Sequence, residues 1–353
     1  MYNTFLIKNF KCFTELSIKE LDRVNLVSGM NDIGKSSLLE AFFLHCGRHN
    51  PNLAMTINAL RGFEQFNLKP EEMWGWLFSD KQTDKTIELT ATMSDKKRRS
   101  LKIKLVDPKE SRVVVPTESN EGTAGTGSPA EAQKELLYEF EDIRGKKLST
   151  RLYIAVDGIK LSEPQSMIEP SGIFFSASSR PLREDAERFS NLERVGRHEE
   201  ILLTVKFIEP RIKRLAVLVT GGVPLINADI GLRELVPVPH LGAGFVRLLS
   251  ILLAIRSFPG GLVLIDEIEN GFHHSVMRKV WAAIGEAARK EDAQIIATTH
   301  SWECIQAGHE AFLQVEKYDF KLQRLEVVDN RIEAISYDKK TLDAALRAEL
   351  EVR

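Results

Sequence analysis

Residues 29–37, with the sequence GMNDIGKSS, constrain the fold of this chain more than any other stretch. They match the phosphate-loop pattern G-x-x-x-x-G-K-[ST], in which glycines let backbone N–H groups surround phosphate oxygens. The pattern predicts that Lys35 reaches the β- and γ-phosphates of a nucleotide and that the Ser36 hydroxyl coordinates magnesium. A strand-like run at residues 24–27 precedes the loop, and an apolar helical run follows it to about Cys46. This order predicts a strand, a phosphate loop and a buried helix within an α/β fold.

The composition is that of a soluble globular protein with a sizeable core. The chain has 353 residues, of which 43% are hydrophobic, and its net charge is −2. This length suits a two-lobed protein better than one compact domain. No apolar run approaches the roughly 20 residues of a membrane span, and the N-terminal residues lack the features of a signal peptide. Three widely spaced cysteines indicate no disulfide framework, so we expect a cytoplasmic protein with no membrane partner.

After the phosphate-loop helix, alternating polarity predicts an antiparallel β-subdomain. Its strands are predicted at residues 86–93, 100–106, 135–141 and 151–157. The low-complexity stretch 116–133 predicts a mobile hairpin loop between two of these strands. Residues 50–80, ahead of this subdomain, are predicted to be irregular or helical, with Trp74, Trp76 and Phe78 in the core.

The second half of the chain alternates between helical and strand-like patterns. A short strand is predicted at residues 172–175, and the helical spacing of residues 184–219 predicts a separate helical lobe. Further elements are predicted as short strands at 224–228 and 235–238, a strand at 262–265, a helix at 274–290, a strand at 294–297, a hairpin or meander within 311–337 and a final helix at 340–350. The strand–helix–strand series beginning at residue 262 is typical of a parallel sheet.

Polar side chains follow two of these predicted parallel strands. Asp266 and Glu267 come directly after the apolar strand at 262–265, and His300 follows the strand at 294–297. Ligands bind at the carboxyl ends of strands in α/β sheets. We therefore expect Asp266 to hold magnesium, Glu267 to act as the base that orients the attacking water, and His300 to reach the γ-phosphate.

An apolar helix opens unusually, with the sequence HLGAGFVRLL from residue 240 onwards. Glycines are poor helix formers, yet Gly242 and Gly244 stand at its beginning, and Arg247 follows in the first turn. A helix N-terminus with unpaired backbone N–H groups is a natural anion site. The sequence therefore predicts a second anion-binding element near residues 241–247.

The order of these motifs resembles that of the ABC-type ATPase heads of the SMC, RecF and OLD-nuclease group, often called AAA family ATPases. The resemblance extends over nearly the whole chain, through the segments NFKCF, VNLVSGMNDIGKSSLLEA, LGAGFVRLLSILLAI, LVLIDEIENGFHH and QIIATTHSWECI. It implies an α/β P-loop NTPase fold with a parallel core sheet, an antiparallel β-subdomain and a helical lobe. Residues 1–353 would form a single ABC-type module, with the helical or signature lobe at 181–258.

The resemblance also implies site residues and cofactors, namely ATP and Mg²⁺. The nucleotide contacts it implies within the phosphate loop are Gly29, Asn31, Gly34, Lys35, Ser36 and Ser37, and Lys11 of NFKCF is a further one. In such heads the glycine-opened helix binds the γ-phosphate held by the other protomer. Its residues here are Leu241, Gly242, Ala243, Gly244 and Phe245, with Arg247 as an additional contact.

The chain departs from that group in several places. The signature pattern L-S-G-G-Q is replaced by Leu-Gly-Ala-Gly-Phe, so recognition in trans would rest on backbone N–H groups. The segment after residue 175 offers Ser176, Ser178 and Arg180 but no Q-loop glutamine, which leaves the second protein ligand of magnesium open. We expect neither long coiled-coil arms nor a Toprim nuclease domain after His300.

These features predict Mg²⁺-dependent ATP binding and slow hydrolysis that switch a head-to-head homodimer between open and closed states. One hypothesis is the ATPase subunit of a nucleic-acid-directed defence system, with a nuclease or toxin effector on a separate chain. A second is a stand-alone RecF-like ATPase of DNA repair with DNA as its partner, which a clustered basic face would favour. A transporter's nucleotide-binding subunit is a third and less favoured hypothesis, since the Q-loop glutamine is missing.

Overall fold

The fold is that of a computed structural model, which describes residues 1–62, 70–107, 134–141, 145–155, 158–161 and 172–353. The hairpin loop predicted at 116–133 lies outside these described residues. The strands are β1 (Tyr2–Phe10), β2 (Phe13–Ile18), β3 (Val24–Gly29), β4 (Ile87–Met93), β5 (Arg98–Val106), β6 (Glu135–Glu141), β7 (Lys147–Ala155), β8 (Gly158–Leu161), β9 (Gly172–Phe175), β10 (Arg214–Thr220), β11 (Val223–Asp229), β12 (Val236–Pro237), β13 (Leu262–Ile265), β14 (Gln294–Thr298), β15 (Phe320–Val328) and β16 (Arg331–Tyr337). The helices are α1 (Lys35–Cys46), α2 (Leu53–Leu60), α3 (Pro70–Gly75), α4 (Leu182–Arg194), α5 (His198–Ile208), α6 (Ala243–Ser257), α7 (Met277–Lys290), α8 (Trp302–Leu313) and α9 (Lys339–Arg347).

A mostly parallel sheet carries the phosphate loop. Its strand order is β16-β15-β3-β14-β13-β9, and every neighbouring pair from β15 to β9 is parallel. Only β16 runs antiparallel, paired with β15 as a hairpin. In this order β3 lies beside β14, and β14 beside β13, so the segments that follow these three strands meet at one edge. The predicted parallel core sheet is confirmed.

The predicted antiparallel β-subdomain is also present, as a sheet with the order β2-β1-β4-β5-β6-β7-β8. Helix α1 lies between this sheet and the parallel one. Phe42 of α1 stacks on Phe5 of β1 with ring centroids 4.1 Å apart, and Leu264 and Ile296 of the parallel sheet belong to the same core. Because α1 packs on two sheets, it is apolar on most faces and almost entirely buried.

The other face of the parallel sheet is covered by α4 to α8, which share one continuous core with it. The prediction of helix throughout residues 184–219 is wrong at its end, because β10 forms there and pairs with β11. The sequence of β10, RLAVLVT, is rich in β-branched residues. Gly221 and Gly222 then follow, both with positive φ (59° and 82°), and connect β10 to β11 as a tight hairpin.

The three aromatic residues predicted for the core at 74–78 divide between interior and surface. Trp74 and Phe78 are buried, at 0% and 2% exposure, whereas Trp76 is 62% exposed. Trp76 lies in the turn that follows the end of α3. In the described part of the chain, every helix is too short or too polar to cross a lipid bilayer.

Candidate active site

The phosphate loop connects β3 to α1 and passes close to the β1–β2 turn. Gly34 has φ 102°, and a Cβ atom at this position would lie 2.4 Å from the Cys12 Sγ. Position 34 requires both a left-handed backbone and close contact with the neighbouring turn. Only glycine satisfies both requirements, because it has no Cβ atom. Helix α1 begins at Lys35, directly after it.

Lys35 is buried at the base of the loop. Its Nζ donates to the carbonyl oxygens of Gly29 and Met30, at 2.6 and 2.7 Å. The pKa of Lys35 lies below its ordinary value because burial disfavours the ammonium form, although the nearby carboxylates of Asp266 and Glu269 oppose this shift. The chain thus places one buried cation where the sequence pattern predicts the β- and γ-phosphates.

Asp266 lies at the end of β13 and joins three elements of the site. Its Oδ2 accepts a hydrogen bond of 2.8 Å from the Ser36 hydroxyl, and its Oδ1 accepts one of 2.6 Å from the Thr298 hydroxyl. The backbone N–H of Glu267 donates to the same Thr298 oxygen, at 2.8 Å. The structure therefore brings together both residues that were predicted to coordinate magnesium, Ser36 and Asp266. Their oxygens are of the kind that Mg²⁺ prefers.

Glu267 and His300 face each other across the strand ends. The Glu267 Oε1 lies 3.8 Å from the His300 Nε2, and both side chains are about one-third exposed (36% and 37%). The Oε2 of Glu267 accepts a 2.6 Å hydrogen bond from the Asn270 side chain. Glu267 has a left-handed backbone (φ 48°), which is uncommon for a residue with a side chain. The predicted base is thus held at an open position, with one carboxylate oxygen fixed by Asn270.

The sequence motifs do not identify three residues of this arrangement. Thr298 bridges Asp266 and the backbone of Glu267, Asn270 holds Glu267, and Glu269 accepts a 2.7 Å hydrogen bond from the His300 backbone N–H. Their position in the sequence could have indicated them, because each lies within three residues of a predicted site residue. Without the order of strands, however, their partners could not be assigned.

The structure corrects the prediction for Arg247. Its side chain is turned into the protein and is only 4% exposed. The guanidinium donates to the carbonyl oxygens of Ser176 and Ala177, both at 3.3 Å, and to those of Asp266 and Glu267. A guanidinium engaged in this way fixes α6 to its own strand ends and does not present itself to a phosphate on another protomer.

The beginning of α6 presents Gly242 and Ala243 to solvent. Gly244 instead faces the protein, since a Cβ atom there would lie 2.3 Å from the carbonyl oxygen of Gly271. A side chain at this position would collide with the loop that follows Asp266 within the same chain. The first turn of α6 therefore packs on its own active-site loop while its N-terminal end remains exposed.

Lys11 lies in the β1–β2 turn beside Cys12, the residue that approaches the phosphate loop at Gly34. The Lys11 ammonium pairs with the buried Glu40 of α1, which also accepts from Arg61 at 2.7 Å. Burial lowers the pKa of Lys11, and Glu40 opposes that shift. These contacts place Lys11 beside the phosphate-loop helix, and its role as a nucleotide contact stays a prediction.

The parallel sheet, the phosphate loop after β3 and the carboxylate after β13 define the class of P-loop ATPases with an ABC-type head. Residues 24–303 match the protein family described as "AAA domain, putative AbiEii toxin, Type IV TA system". This match covers most of the chain. The chain belongs to this family and is an ATPase.

Two further comparisons agree with this assignment. An "ATP/GTP phosphatase" of Helicobacter pylori is 24% identical over 330 residues, which is 87% of each chain. The crystal structure of an SMC head bound to the C-winged helix domain of ScpA superposes with a TM-score of 0.51 at 13% identity, covering 98% of this chain and 99% of that one. The structural likeness confirms the predicted fold. An uncharacterized protein of Methanocaldococcus jannaschii is 35% identical over 79 residues, 22% of this chain and 31% of its own.

Proposed function

We propose that this chain binds ATP with magnesium at the phosphate loop and hydrolyses it slowly, and that this cycle opens and closes a head-to-head homodimer. The observation that carries the proposal is the 2.8 Å contact between the Ser36 hydroxyl and the Asp266 carboxylate. These two groups are far apart in the sequence, and the fold brings them together beside the buried Lys35. Lys35 supplies the positive charge, and the backbone of Gly29, Asn31, Gly34 and Ser37 would supply N–H donors.

The metal site would consist of Ser36 and Asp266. A hydroxyl and a carboxylate oxygen this close fit a small, hard cation that retains several water ligands. When bound, magnesium would neutralise negative charge on the β- and γ-phosphates. The Thr298 hydroxyl donates to the other carboxylate oxygen of Asp266, so the Asp266 side chain is oriented without a ligand.

Glu267 is the proposed general base. Its Oε1, which faces His300, would accept a proton from the attacking water, while Asn270 holds Oε2. His300 would contact the γ-phosphate from the neighbouring strand end. Glu269 accepts a hydrogen bond from the His300 backbone N–H, which joins the segment after β13 to the segment after β14.

The exposed start of α6 is proposed to act in trans on the nucleotide of the partner protomer. Residues 241–245 would present backbone N–H groups and the positive end of the helix dipole to the γ-phosphate. In this proposal Arg247 has a positioning role, because it ties α6 to the carbonyl groups of Asp266 and Glu267.

A substitution at the exposed Ala243 tests the trans site. We expect Ala243→Glu to prevent dimer formation with a non-hydrolysable ATP analogue, because the carboxylate repels the γ-phosphate. ATP binding to the monomer should change less than about twofold, since the proposed contact of α6 is with the partner's nucleotide, and an acid in the first turn of a helix does not destabilise the helix. Sedimentation velocity gives the oligomeric state, with Asn191→Glu on the exposed face of α4 as the control for added charge. A dimer of normal stability in Ala243→Glu would exclude this role for α6.

We propose further that the protein is the ATPase subunit of a defence-type system whose effector is a separate chain. The family description, which names a putative toxin of a type IV toxin–antitoxin system, supports the defence-type part of this proposal. The separate effector chain is proposed because Asp266 and Glu267 are both assigned to the nucleotide. The RecF-like alternative would be favoured by a clustered basic face, and the described outer face of the antiparallel sheet gives little support for one. There Lys102 pairs with Glu88 at 3.0 Å and Lys104 with Glu139 at 2.7 Å, so these lysines do not form an uncompensated basic surface.

The purified chain alone should therefore show ATPase activity without nuclease activity. Asp266 and Glu267 are committed to the nucleotide, and a two-metal nuclease needs further carboxylates that hold ions about 4 Å apart. The measurement is incubation with Mg²⁺ or Mn²⁺ and plasmid, single-stranded DNA or RNA, followed by gel electrophoresis. Cleavage that is lost in Asp266→Ala but persists in Lys35→Ala would show that the acids serve a nuclease instead.

A further inference from the structure

A groove of about 700 Å³ lies between α8, α9 and the residues that follow α9. One face of α8 forms a wall of this groove through Trp302, Gln306, His309, Glu310 and Leu313. Their spacing puts these side chains on the same side of the helix. From the first to the last, this face is about 16 Å long, since a helix rises 1.5 Å per residue. A groove of this size accommodates a ligand or a short segment of polypeptide.

The groove contains apolar surface that the fold leaves uncovered. Leu313 is 40% exposed, and Trp302 and Leu346 are only partly buried although they pack against the core. Apolar surface between two helices is the feature that the apolar face of a third helix covers in helix-in-groove recognition.

The groove is also acidic. Five carboxylates line it, but only two guanidinium groups do. Arg347 pairs with Asp343 at 3.0 Å and Arg353 pairs with Glu351 at 3.3 Å, so both arginines are already engaged. Among the residues that the structure describes, three carboxylates of the groove have no cation within ion-pair distance, namely Glu303, Glu310 and Glu349. A ligand that complements this groove therefore carries positive charge.

A buried histidine holds the two helices of the groove together. His309 is 3% exposed, and its ring nitrogens lie 2.8 Å from the Tyr318 hydroxyl and 3.4 Å from the Asp343 Oδ1. Asp343 belongs to α9, so this contact joins α9 to α8. Because the groove is already formed, little ordering entropy is lost in the protein when a partner binds.

Both walls of the groove are joined to the proposed ATP site. Helix α8 begins directly after Ser301, whose side chain caps it, and His300 is the residue before Ser301. On the other wall, the carbonyl oxygen of Val352 accepts a buried 2.6 Å hydrogen bond from the Ser28 hydroxyl. Ser28 immediately precedes Gly29, the first residue of the phosphate loop.

We propose that this groove binds an amphipathic helix of a partner protein that is rich in lysine or arginine. The apolar face of that helix contacts Trp302, Leu313 and Leu346, and its cations pair with the three free carboxylates. Charge complementarity of this kind selects a partner and fixes its register. Occupation of the groove also changes ATP turnover through the two walls, and this second part rests on the proposed function of the phosphate loop.

The test uses a fluorescein-labelled synthetic helix with leucine on one face and lysine on the others, followed by fluorescence anisotropy. The parent should bind this peptide, and should not bind the same peptide with glutamate in place of lysine. Glu303→Lys combined with Glu310→Lys should weaken binding at least about tenfold, because like charges then face each other. Glu303→Gln with Glu310→Gln, a milder change, should weaken it in the same direction.

Glu187→Lys combined with Glu286→Lys is the matched control. Both glutamates are exposed, on α4 and α7, and the net charge changes by the same amount. Unlabelled peptide should shift the tryptophan emission of the parent but not that of Trp302→Phe. Equal peptide affinity in the groove variants and in the control would overturn the groove as the binding site.

Two other occupants would also overturn the partner helix. Displacement of the peptide by an equal concentration of spermine would assign the groove to small polycations. Self-association of the parent that is lost in Glu303→Lys with Glu310→Lys would assign it to a second copy of this chain.

Phosphate release separates docking from coupling. Saturating peptide should change the ATPase rate of the parent at least about twofold and leave that of Glu303→Lys with Glu310→Lys unchanged. An unchanged rate in a parent that binds the peptide and hydrolyses ATP would overturn the coupling alone. A parent that binds the peptide but hydrolyses no ATP would overturn the proposed function, while the docking site would stand.

Discussion

Lys35→Ala is expected to abolish ATP binding at micromolar protein concentrations. Lys35 is the cation buried within the phosphate loop, and its removal leaves the β- and γ-phosphates without their charge partner. Truncating one member of a buried, hydrogen-bonded charge pair costs about 2–5 kcal/mol, so affinity should fall by at least about 30-fold. Titration calorimetry with ATP and Mg²⁺ measures this loss directly.

The control for this variant must separate ligand binding from folding. Lys35 also donates to the carbonyl oxygens of Gly29 and Met30, so the thermal midpoint without nucleotide should be compared with that of the parent. Lys8→Ala, which removes a half-exposed lysine paired with Glu15, should leave ATP affinity unchanged. If folded Lys35→Ala binds ATP as tightly as the parent, the phosphate site is misassigned.

Glu267→Gln is expected to bind ATP normally, to hydrolyse it at least about 100-fold more slowly and to accumulate as a dimer. Positioned general bases contribute about 10²- to 10⁴-fold to rates, and glutamine cannot accept the proton. The hydrogen bond from Asn270 can be kept, because the glutamine carbonyl oxygen can replace the Glu267 Oε2. Phosphate release measures the rate, and sedimentation velocity with ATP measures the dimer.

Two further variants show whether that dimer depends on nucleotide. Adding Lys35→Ala to Glu267→Gln should return the protein to the monomer, since ATP no longer binds. The charge-matched Glu269→Gln is a less suitable control, because Glu269 anchors the His300 backbone. A Glu267→Gln protein that binds ATP yet sediments as a monomer across a wide concentration range would contradict the dimer switch.

Gly244 belongs to the helix start that is predicted to contact the partner's nucleotide, but a substitution at Gly244 cannot test that contact. A substitution there would test contact with the partner only if the residue faced outward. Because a Cβ atom at Gly244 would collide with Gly271 of the same chain, any larger residue disturbs the fold first. Ala243, exposed at the same helix end, is therefore the position at which the trans contact can be tested.

The parts of the site that the sequence predicts belong to short motifs of neighbouring residues. The phosphate loop requires glycines and a lysine at fixed spacing, and an apolar run followed by two acids marks the end of a buried strand. These features depend on neighbouring residues only. The contact between Ser36 and Asp266 is also predictable, because both belong to motifs whose roles converge on one metal.

Other features depend on tertiary contacts that no local pattern contains. Arg247 follows a helix start that is predicted to bind an anion, yet its guanidinium donates to carbonyl groups that follow two strands distant in the sequence. Trp76 is a large apolar residue of the kind found in cores, yet it lies in the turn after α3 and is 62% exposed. Helical spacing of mixed charged and apolar residues predicts helix where β10 forms, whereas the glycine pair after β10 favours a hairpin.

The packing of Gly244 against Gly271 has a consequence for cooperativity. In the proposed dimer, the start of each α6 contacts the partner's nucleotide, while the same turn is wedged against the loop that carries its own Glu267. In that dimer, a shift of α6 caused by one nucleotide would be transmitted to the proposed catalytic base of the other site. We therefore expect the two sites to be coupled, so that ATP turnover departs from a simple hyperbola as nucleotide is added.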